Sequence, residues 1–175
     1  MKFPVEELLA TLALLKVPGL GARRRYRLVD CFGGASAVFT APRDKIKTIL
    51  GPGHCALPFL RKGPDGIDVG SEINWIEKPG HHFIPLHHPL FPPLLKQIPD
   101  PPVGLFARGD LSRLLKPQVA IVGSRRGTPG GQDIARTLAA GLVDRGFSVI
   151  SGLASGIDGA AHWGAIDHNG STVAV

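Results

Sequence analysis

The sequence predicts an α/β protein in two parts: an all-helical domain over residues 1–66, and over residues 67–175 a doubly wound parallel-sheet domain, incomplete after its third core strand. Three observations predict it. From Gln118 onward, apolar runs of strand length alternate with helix-period segments in the order β-α-β-α-β. Before residue 62, apolar residues recur at helical spacing between Pro-Gly stops. Finally, 23 glycines and 16 prolines in 175 residues enforce many tight turns, while 43% apolar content is enough to fill a core.

Glu6 to Leu15 reads as a helix with Leu8, Leu9, Leu12 and Leu15 on one side, stopped by Pro18-Gly19-Leu20-Gly21. A second helix runs from about Ala22 to Phe32. The segment between them, Val17 to Gly21, alternates apolar residues with glycine, as in a helix-hairpin-helix. Gly19 and Gly21 permit positive φ and close approach, so amides opening the second helix are expected to face a phosphate, with Arg23, Arg24, Arg25 and Arg27 supplying charge. A plain structural turn is the other reading. Ala35 to Phe39 and Arg43 to Leu50 complete a small bundle, Gly51-Pro52-Gly53 is a degenerate second hairpin, and Lys62 to Gly70 is expected to be the linker.

Seven prolines between Pro85 and Pro102 force turns. Phe83 to Leu86 and Val103 to Ala107 are expected as short strands, with a short helix near Pro93 to Ile98 between them. Val119 to Val122 is then an apolar strand ending in Gly123. Gly131 to Arg145 is a helix turning Ile134, Ala135, Leu138, Ala139, Leu142 and Val143 inward. Gly146 ends it, and Phe147 to Ile150 is the next strand. Ser155 to His168 is a helix with Ser155 as N-cap and Asp158 near its positive end. Asn169-Gly170 stops it and Thr172 to Val175 starts a third strand. Continuous apolar strands imply a parallel sheet covered on both faces. With only half of a doubly wound sheet written, the chain is expected to be a fragment with an unpartnered apolar edge.

Charge is divided unevenly. Residues 1–62 hold 11 Lys and Arg against 4 acids, a net +7, whereas residues 63–175 hold 9 against 10. A basic segment of this kind favours a polyanion, nucleic acid rather than membrane, a solvated surface being the alternative. There is no run of eighteen uncharged apolar residues, and Met1 to Leu20 carries Glu6, Glu7 and Lys16 with no cleavage-like site, so neither a membrane span nor a signal peptide is read. Cys31 and Cys55 allow at most one disulfide, and a cytoplasmic location is expected.

Ligands of doubly wound folds sit beyond the carboxyl ends of the strands. Two loops qualify: Gly123-Ser124-Arg125-Arg126-Gly127 onward, and Ser151-Gly152-Leu153-Ala154-Ser155-Gly156. Glycines, Ser124 and two arginines suit phosphate, and neighbouring strands are expected to join the loops into one anion-binding floor at two helix N-termini. No cofactor is expected. G-S-R-R-G departs from the dinucleotide fingerprint, the second strand ends without a ribose-binding acid, and there is no Walker lysine. G-L-A-S-G is one residue off a nucleophile elbow. Asp158 and His162 share a helix face, read as a buried polar pair before an acid-base pair. His81, His82, His87 and His88, with His54 and Cys55, lack zinc spacing, so no metal is expected. Phe91, Phe106, Phe147 and Trp163 are read as core before base-stacking platforms.

The segments VAIVGSRRGTPGGQDIARTLA, SVISGLASGIDGAAHWGAI and GSTVAV, and less specifically FPPLLKQIPDPPVGLFARGD and LKVPGLGARR, resemble the DNA processing protein DprA family, also called Smf, of bacterial natural transformation. The resemblance spans nearly the whole chain. It implies a sterile-alpha-motif-like N-terminal domain and a Rossmann-like domain that binds single-stranded DNA and helps load the recombinase RecA, with no catalysis. It places Gly123, Ser124 and Arg125, with Arg126 beside them, in the family's DNA loop, and Ser151, Gly152, Gly156 and Asp158 in its second glycine-rich loop. Phe91, His88 and Gly130 depart from the family's usual Tyr, Asp and Tyr. Homodimerisation, RecA contacts and a winged-helix domain belong, in relatives, to the part beyond Val175. The alternative class is a Rossmann-like hydrolase of nucleoside phosphates, for which a placed carboxylate would be required.

Overall fold

The computed structural model describes residues 4–175 as two compact units, the first ending at Gly109 and the second running from Asp110 to Val175. The architecture is mixed α/β. The division falls later than the expected 66/67, because the segment between packs with the helices before it. Lys62 to Gly70 is not an open linker: a tight turn at Pro64–Gly66 packs on the first and fifth helices. The β-hairpin-like pair that follows belongs to the first unit and shares no strand pairing with the later sheet.

In the first unit, α1 (Val5–Lys16) leads to α2 (Ala22–Phe32), α3 (Ala35–Thr40), α4 (Arg43–Leu50), α5 (Leu57–Lys62) and α6 (Gly70–Ile76). Helix α1 was expected to bury one leucine face. Instead its centre is enclosed all round, with Ala10, Thr11, Leu12, Ala13 and Leu14 buried and Leu8, Leu9 and Leu15 only partly so. Small residues at 10, 11 and 13 let neighbours approach from every side, and Thr11 returns its hydroxyl to the Glu7 carbonyl at 2.7 Å.

One carboxylate organises the junction of α1 with α3. Glu7 accepts hydrogen bonds from the Ala35 amide (2.5 Å), the Ser36 amide (2.9 Å) and the Ser36 hydroxyl (2.6 Å). Helix α3 therefore receives its N-terminal cap from another helix, since no side chain of its own supplies one. Lys16 at the far end of α1 pairs with Glu72 of α6 at 3.0 Å. Burial alone would raise the Glu72 carboxyl, but hydrogen bonds from Lys16 and Ser71 outweigh it and hold the group below its ordinary value.

Strand β1 (His81–Pro85) pairs antiparallel with β2 (Gly104–Arg108), Phe83 opposite Phe106. Trp75 of α6 stacks against His81 and edge-on against Phe106. Between the strands, Leu95–Gln97 forms a short 3-10 helix within the Pro93 to Ile98 stretch where a short helix was expected. Phe91 is core, as expected, but Phe106, Phe147 and Trp163 are exposed.

The second unit is β3 (Gln118–Ala120), α7 (Pro129–Val143), β4 (Ser148–Ser151), α8 (Ile157–Asp167) and β5 (Thr172–Ala174), with parallel pairing in the order β3-β4-β5. Two crossovers of one hand moving in one direction put both helices on the same face of the sheet. Helices α7 and α8 accordingly pack against each other, so within this unit the helices do not cover both faces as expected. The core is narrow: Ala139, Val149, Ala161 and Ala165, flanked by Ile121, Leu142 and Val143. A Cβ at Gly164 would stand 2.4 Å from the Arg136 carbonyl oxygen, a measure of how closely the helices cross. That crossing uses the Ala135–Ala139 edge of α7, which leaves Ile134 and Leu138 exposed where they were expected inside. Asn169, at φ +53, ends α8 as its sequence suggested.

Replacing Glu7 with Ala leaves two amides of α3 without their acceptor and is expected to lower the stability of the first unit by about 1–3 kcal/mol. Denaturant unfolding followed at Trp75 measures it. Burial holds the His88 imidazole below its ordinary pKa, with Lys96 adding to the effect. Because the folded form resists the proton that the unfolded chain accepts, first-unit stability should fall as pH drops below about 6.5 and level off once the folded group titrates. The His88→Gln variant should show a shallower acid slope in the same unfolding measurement.

Candidate nucleic-acid interface

The loops after β3 and β4 lie side by side because their strands are hydrogen-bonded neighbours. They meet backbone to backbone. Gly156 sits at φ +83, ψ −128, a conformation open essentially to glycine. A Cβ there would lie 2.3 Å from the Ser124 carbonyl oxygen and 2.7 Å from the Arg125 carbonyl group. With that space free, the Ile157 amide donates to the Ser124 oxygen (3.2 Å) and the Ser155 hydroxyl to the Arg125 oxygen (3.3 Å). The Ile157 side chain fills the hollow left by two further glycines: a Cβ at Gly123 or at Gly127 would come within 2.9 Å of it.

This arrangement reassigns several residues. Ser155 does not cap α8; Gly156 holds the N-cap position and the Ser155 hydroxyl is turned to the first loop. Helix α8 thus offers the amide at its start to Ser124 rather than to a ligand, whereas the expectation had two open helix N-termini. Helix α7 starts at Pro129, two residues before the expected Gly131, and is capped by Thr128, whose hydroxyl oxygen accepts from the Gly131 amide at 3.2 Å. Ser151 is buried and donates to the Ile121 carbonyl at 2.6 Å, tying β4 to the end of β3. Asp158, also buried, accepts from the Gly123 amide at 3.3 Å, and Gly152 lies over its other oxygen. His162 turns away from Asp158. Its Nδ1 lies 2.7 Å from the Thr172 hydroxyl, which itself donates to the Val149 carbonyl, and its buried Nε2 has no protein partner. Asp158 and His162 each brace the sheet separately and form no acid-base pair.

Of the loop residues expected to meet a ligand, Gly123, Ser124, Arg125, Arg126 and Gly152 remain at the surface. The Ser124 hydroxyl oxygen accepts from the Arg126 amide at 3.1 Å, which folds the loop tip. Among the described residues neither arginine has an acidic partner. Two guanidinium groups without counter-ions, on a loop whose backbone is clamped at two points, form a cationic rim suited to bidentate contacts with phosphate oxygens. Leu153 beside it is exposed at φ +56, a strained setting for a leucine.

The N-terminal hairpin divides its expected phosphate ligands. Gly19, at φ +70, makes room for a neighbour: a Cβ there would lie 2.2 Å from the Cys55 sulfur. Gly21 precedes α2 with open space around it. Arg23 reaches Asp100 at 3.5 Å in a largely exposed pair, while Arg24 and Arg27 are exposed without acidic partners among the described residues. Arg25 is half-buried, its Nε has no partner, and burial lowers its guanidinium pKa. Cys31 and Cys55 are both free thiols. The histidines are dispersed: His81 Nδ1 lies 2.9 Å from the Trp75 carbonyl oxygen, and His54 and His88 accept from the Ala56 and Leu90 amides. No helix among the described residues is long and apolar enough to cross a membrane.

Residues 82–175 match the family model described as DNA recombination-mediator protein A. The chain is 41% identical over 119 residues to protein Smf of Escherichia coli K12, covering 68% of this chain and 30% of that protein. It is 31% identical over 168 residues to protein Smf of Synechocystis, covering 94% of this chain and 42% of that protein. The X-ray structure of DNA processing protein A (DprA) from Streptococcus pneumoniae superposes with a TM-score of 0.75 at 28% identity, covering all of this chain and 58% of that one. The chain therefore spans from under a third to about two fifths of the length of these curated relatives.

Gly156→Ala is expected to cost about 2–4 kcal/mol, because backbone strain and a backbone clash act together. Gly130 gives the contrast: a Cβ added there would meet nothing within 4 Å, and Gly130→Ala should stabilise by about 0.5–1 kcal/mol. Hydrogen exchange at the Ile157 amide together with second-unit unfolding at Trp163 distinguishes the two.

Proposed function

The chain belongs to the DNA recombination-mediator protein A family, and from that premise we propose that it binds single-stranded DNA in the processing of incoming strands for recombination during natural transformation. The observation that carries the reading is the Arg125-Arg126 rim, held by the Ser124 and Arg125 carbonyl contacts to α8 and lacking any acidic partner among the described residues. Both guanidinium groups engage phosphate oxygens, with the Ser124 hydroxyl as a further donor. Such contacts hold a strand without reading its sequence, which suits a protein that must accept any incoming strand. Gly152, exposed in the second loop, leaves room for the Asp158 carboxylate that braces the first loop from beneath. Gly123, Ser151 and Gly156 shape and fix the loops through their contacts with Ile157, Asp158, Ile121 and the first-loop carbonyls.

The basic N-terminal segment carries a cationic surface of its own, with Arg24 and Arg27 free to meet phosphates near Gly21. Family membership further supports delivery of the bound strand to RecA and homodimerisation in full-length relatives, a sterile-alpha-motif-like character for the helical part, a Rossmann-like character for the second unit, and a cytoplasmic place of work. The reading is one of binding without catalysis. Asp158, the carboxylate nearest the loops, is buried against the Gly123 amide, where it cannot activate water.

In anisotropy titrations with labelled oligonucleotides, Arg125→Ala should weaken single-strand binding by about 1.5–3 kcal/mol, equally on poly-dT and mixed sequence, and flatten log K against log salt by roughly 0.7 per lost phosphate contact. Unchanged affinity with the fold intact overturns the assignment. Nucleotide hydrolysis that disappears in Asp158→Asn would favour the hydrolase class instead.

A further inference from the structure

The first unit contains a cavity that the reading above does not use. It lies between α3, α4 and α5 and has a volume of about 410 Å³. Small-molecule sites span roughly 300–1,000 Å³, so this one takes a compact ligand. Its apolar side is built from Phe39, Ile46 and Leu57, and its rim carries Arg43, Lys47 and Arg61.

The rim is short of negative charge. Lys47 reaches Asp44 at 3.4 Å, but that carboxylate is almost wholly exposed, so the pair is weak. Among the described residues Arg43 and Arg61 have no acidic partner. Three cations from two helices thus stand around one hollow, and their mutual repulsion is relieved by an anion. A bare inorganic anion would leave the apolar side unfilled. A ligand with a planar apolar body and one anionic group matches both halves: the ring lies on Phe39 and the anion meets Arg43 and Arg61.

From this complementarity we propose that the cavity binds a nucleotide, its base on the Phe39 side and its phosphate at Arg43 and Arg61. One chemistry serves two sources, a free mononucleotide or a single nucleotide of a bound strand. The inference stands apart from the Arg125-Arg126 rim, because every residue it uses lies in the first unit.

The test is NMR titration of the 175-residue chain with methyl and aromatic labelling, using thymidine monophosphate, a dT oligonucleotide and inorganic phosphate as separate probes. Saturable shifts at Phe39, Ile46 and Leu57 with the mononucleotide are expected, with binding weakened roughly fivefold or more in Arg43→Gln/Arg61→Gln. Phe39→Leu, which keeps the packing apolar, should weaken the mononucleotide but not inorganic phosphate. If the oligonucleotide shifts these residues at lower concentration than the mononucleotide, the source is a strand; the reverse order points to a free nucleotide. Absence of shifts with both nucleotides overturns the proposal, as does equal response to inorganic phosphate or to a polyglutamate peptide. Repeating the titration in Arg125→Ala separates the two sites: first-unit shifts that persist while oligonucleotide affinity is unaltered would reject the rim and retain the cavity.

Discussion

The second unit depends on a missing side chain. At Gly156 the two loops close to a distance that no Cβ permits, and the Ile157 amide, the Ser155 hydroxyl and the Ile157 side chain then fasten the first loop at successive points. Were the loops held apart, Ser124 and Arg125 would lose their anchors and the arginines would sit on a free tether. Binding would then carry the cost of ordering that tether. The glycines at 123 and 127 serve the same closure, and Asp158 holds it from beneath through the Gly123 amide. Residues that look like ligand contacts in a glycine-rich loop thus divide into those that touch solvent and those that make the touching residues rigid.

The two units answer a common electrostatic problem differently. In the second, charge is nearly balanced overall, and the cationic rim arises because its arginines lack nearby acids. In the first, the basic excess is confined to residues 1–62, and part of it is neutralised locally: Lys16 by Glu72, Arg23 by Asp100, Lys47 by Asp44. What is left exposed, at Arg24, Arg27, Arg43 and Arg61, is spread over several helices and not gathered at one hairpin.

Much of this was legible in the sequence. Helices α2 and α4 begin and end where glycine and proline placed them, and β-α-β-α-β followed from alternating apolar runs and glycine stops, which are local signals. The misreadings were of contacts distant in sequence. Glu7 caps a helix 28 residues away, a partnership no local pattern announces. Ser151 looked like a loop ligand because strand ends and ligand loops share composition; its bond to Ile121 is decided by sheet pairing. Ile134 and Leu138 fit the helical period, but the close Gly164–Arg136 crossing selected a different edge of α7. Helices α5 and α6 were missed since both are short, and proline or glycine near their starts resembles a linker. The Thr128-Pro129 cap was there to be read: a hydroxyl followed by proline is a helix-start signal that the glycines beside it obscured.

The Gly19–Cys55 contact has an implication for how this sequence can vary. The thiol at position 55 occupies the space that a side chain at position 19 would need, so position 19 is not free to change while the cysteine remains. A larger residue at 19 requires a smaller one at 55, whereas Cys55 is exposed and can shorten to Ala without leaving a buried void. Even then the positive φ at 19 confines substitutions there mostly to asparagine or aspartate. Two positions 36 residues apart are thereby epistatic, and the order in which they mutate decides which paths remain open to the hairpin.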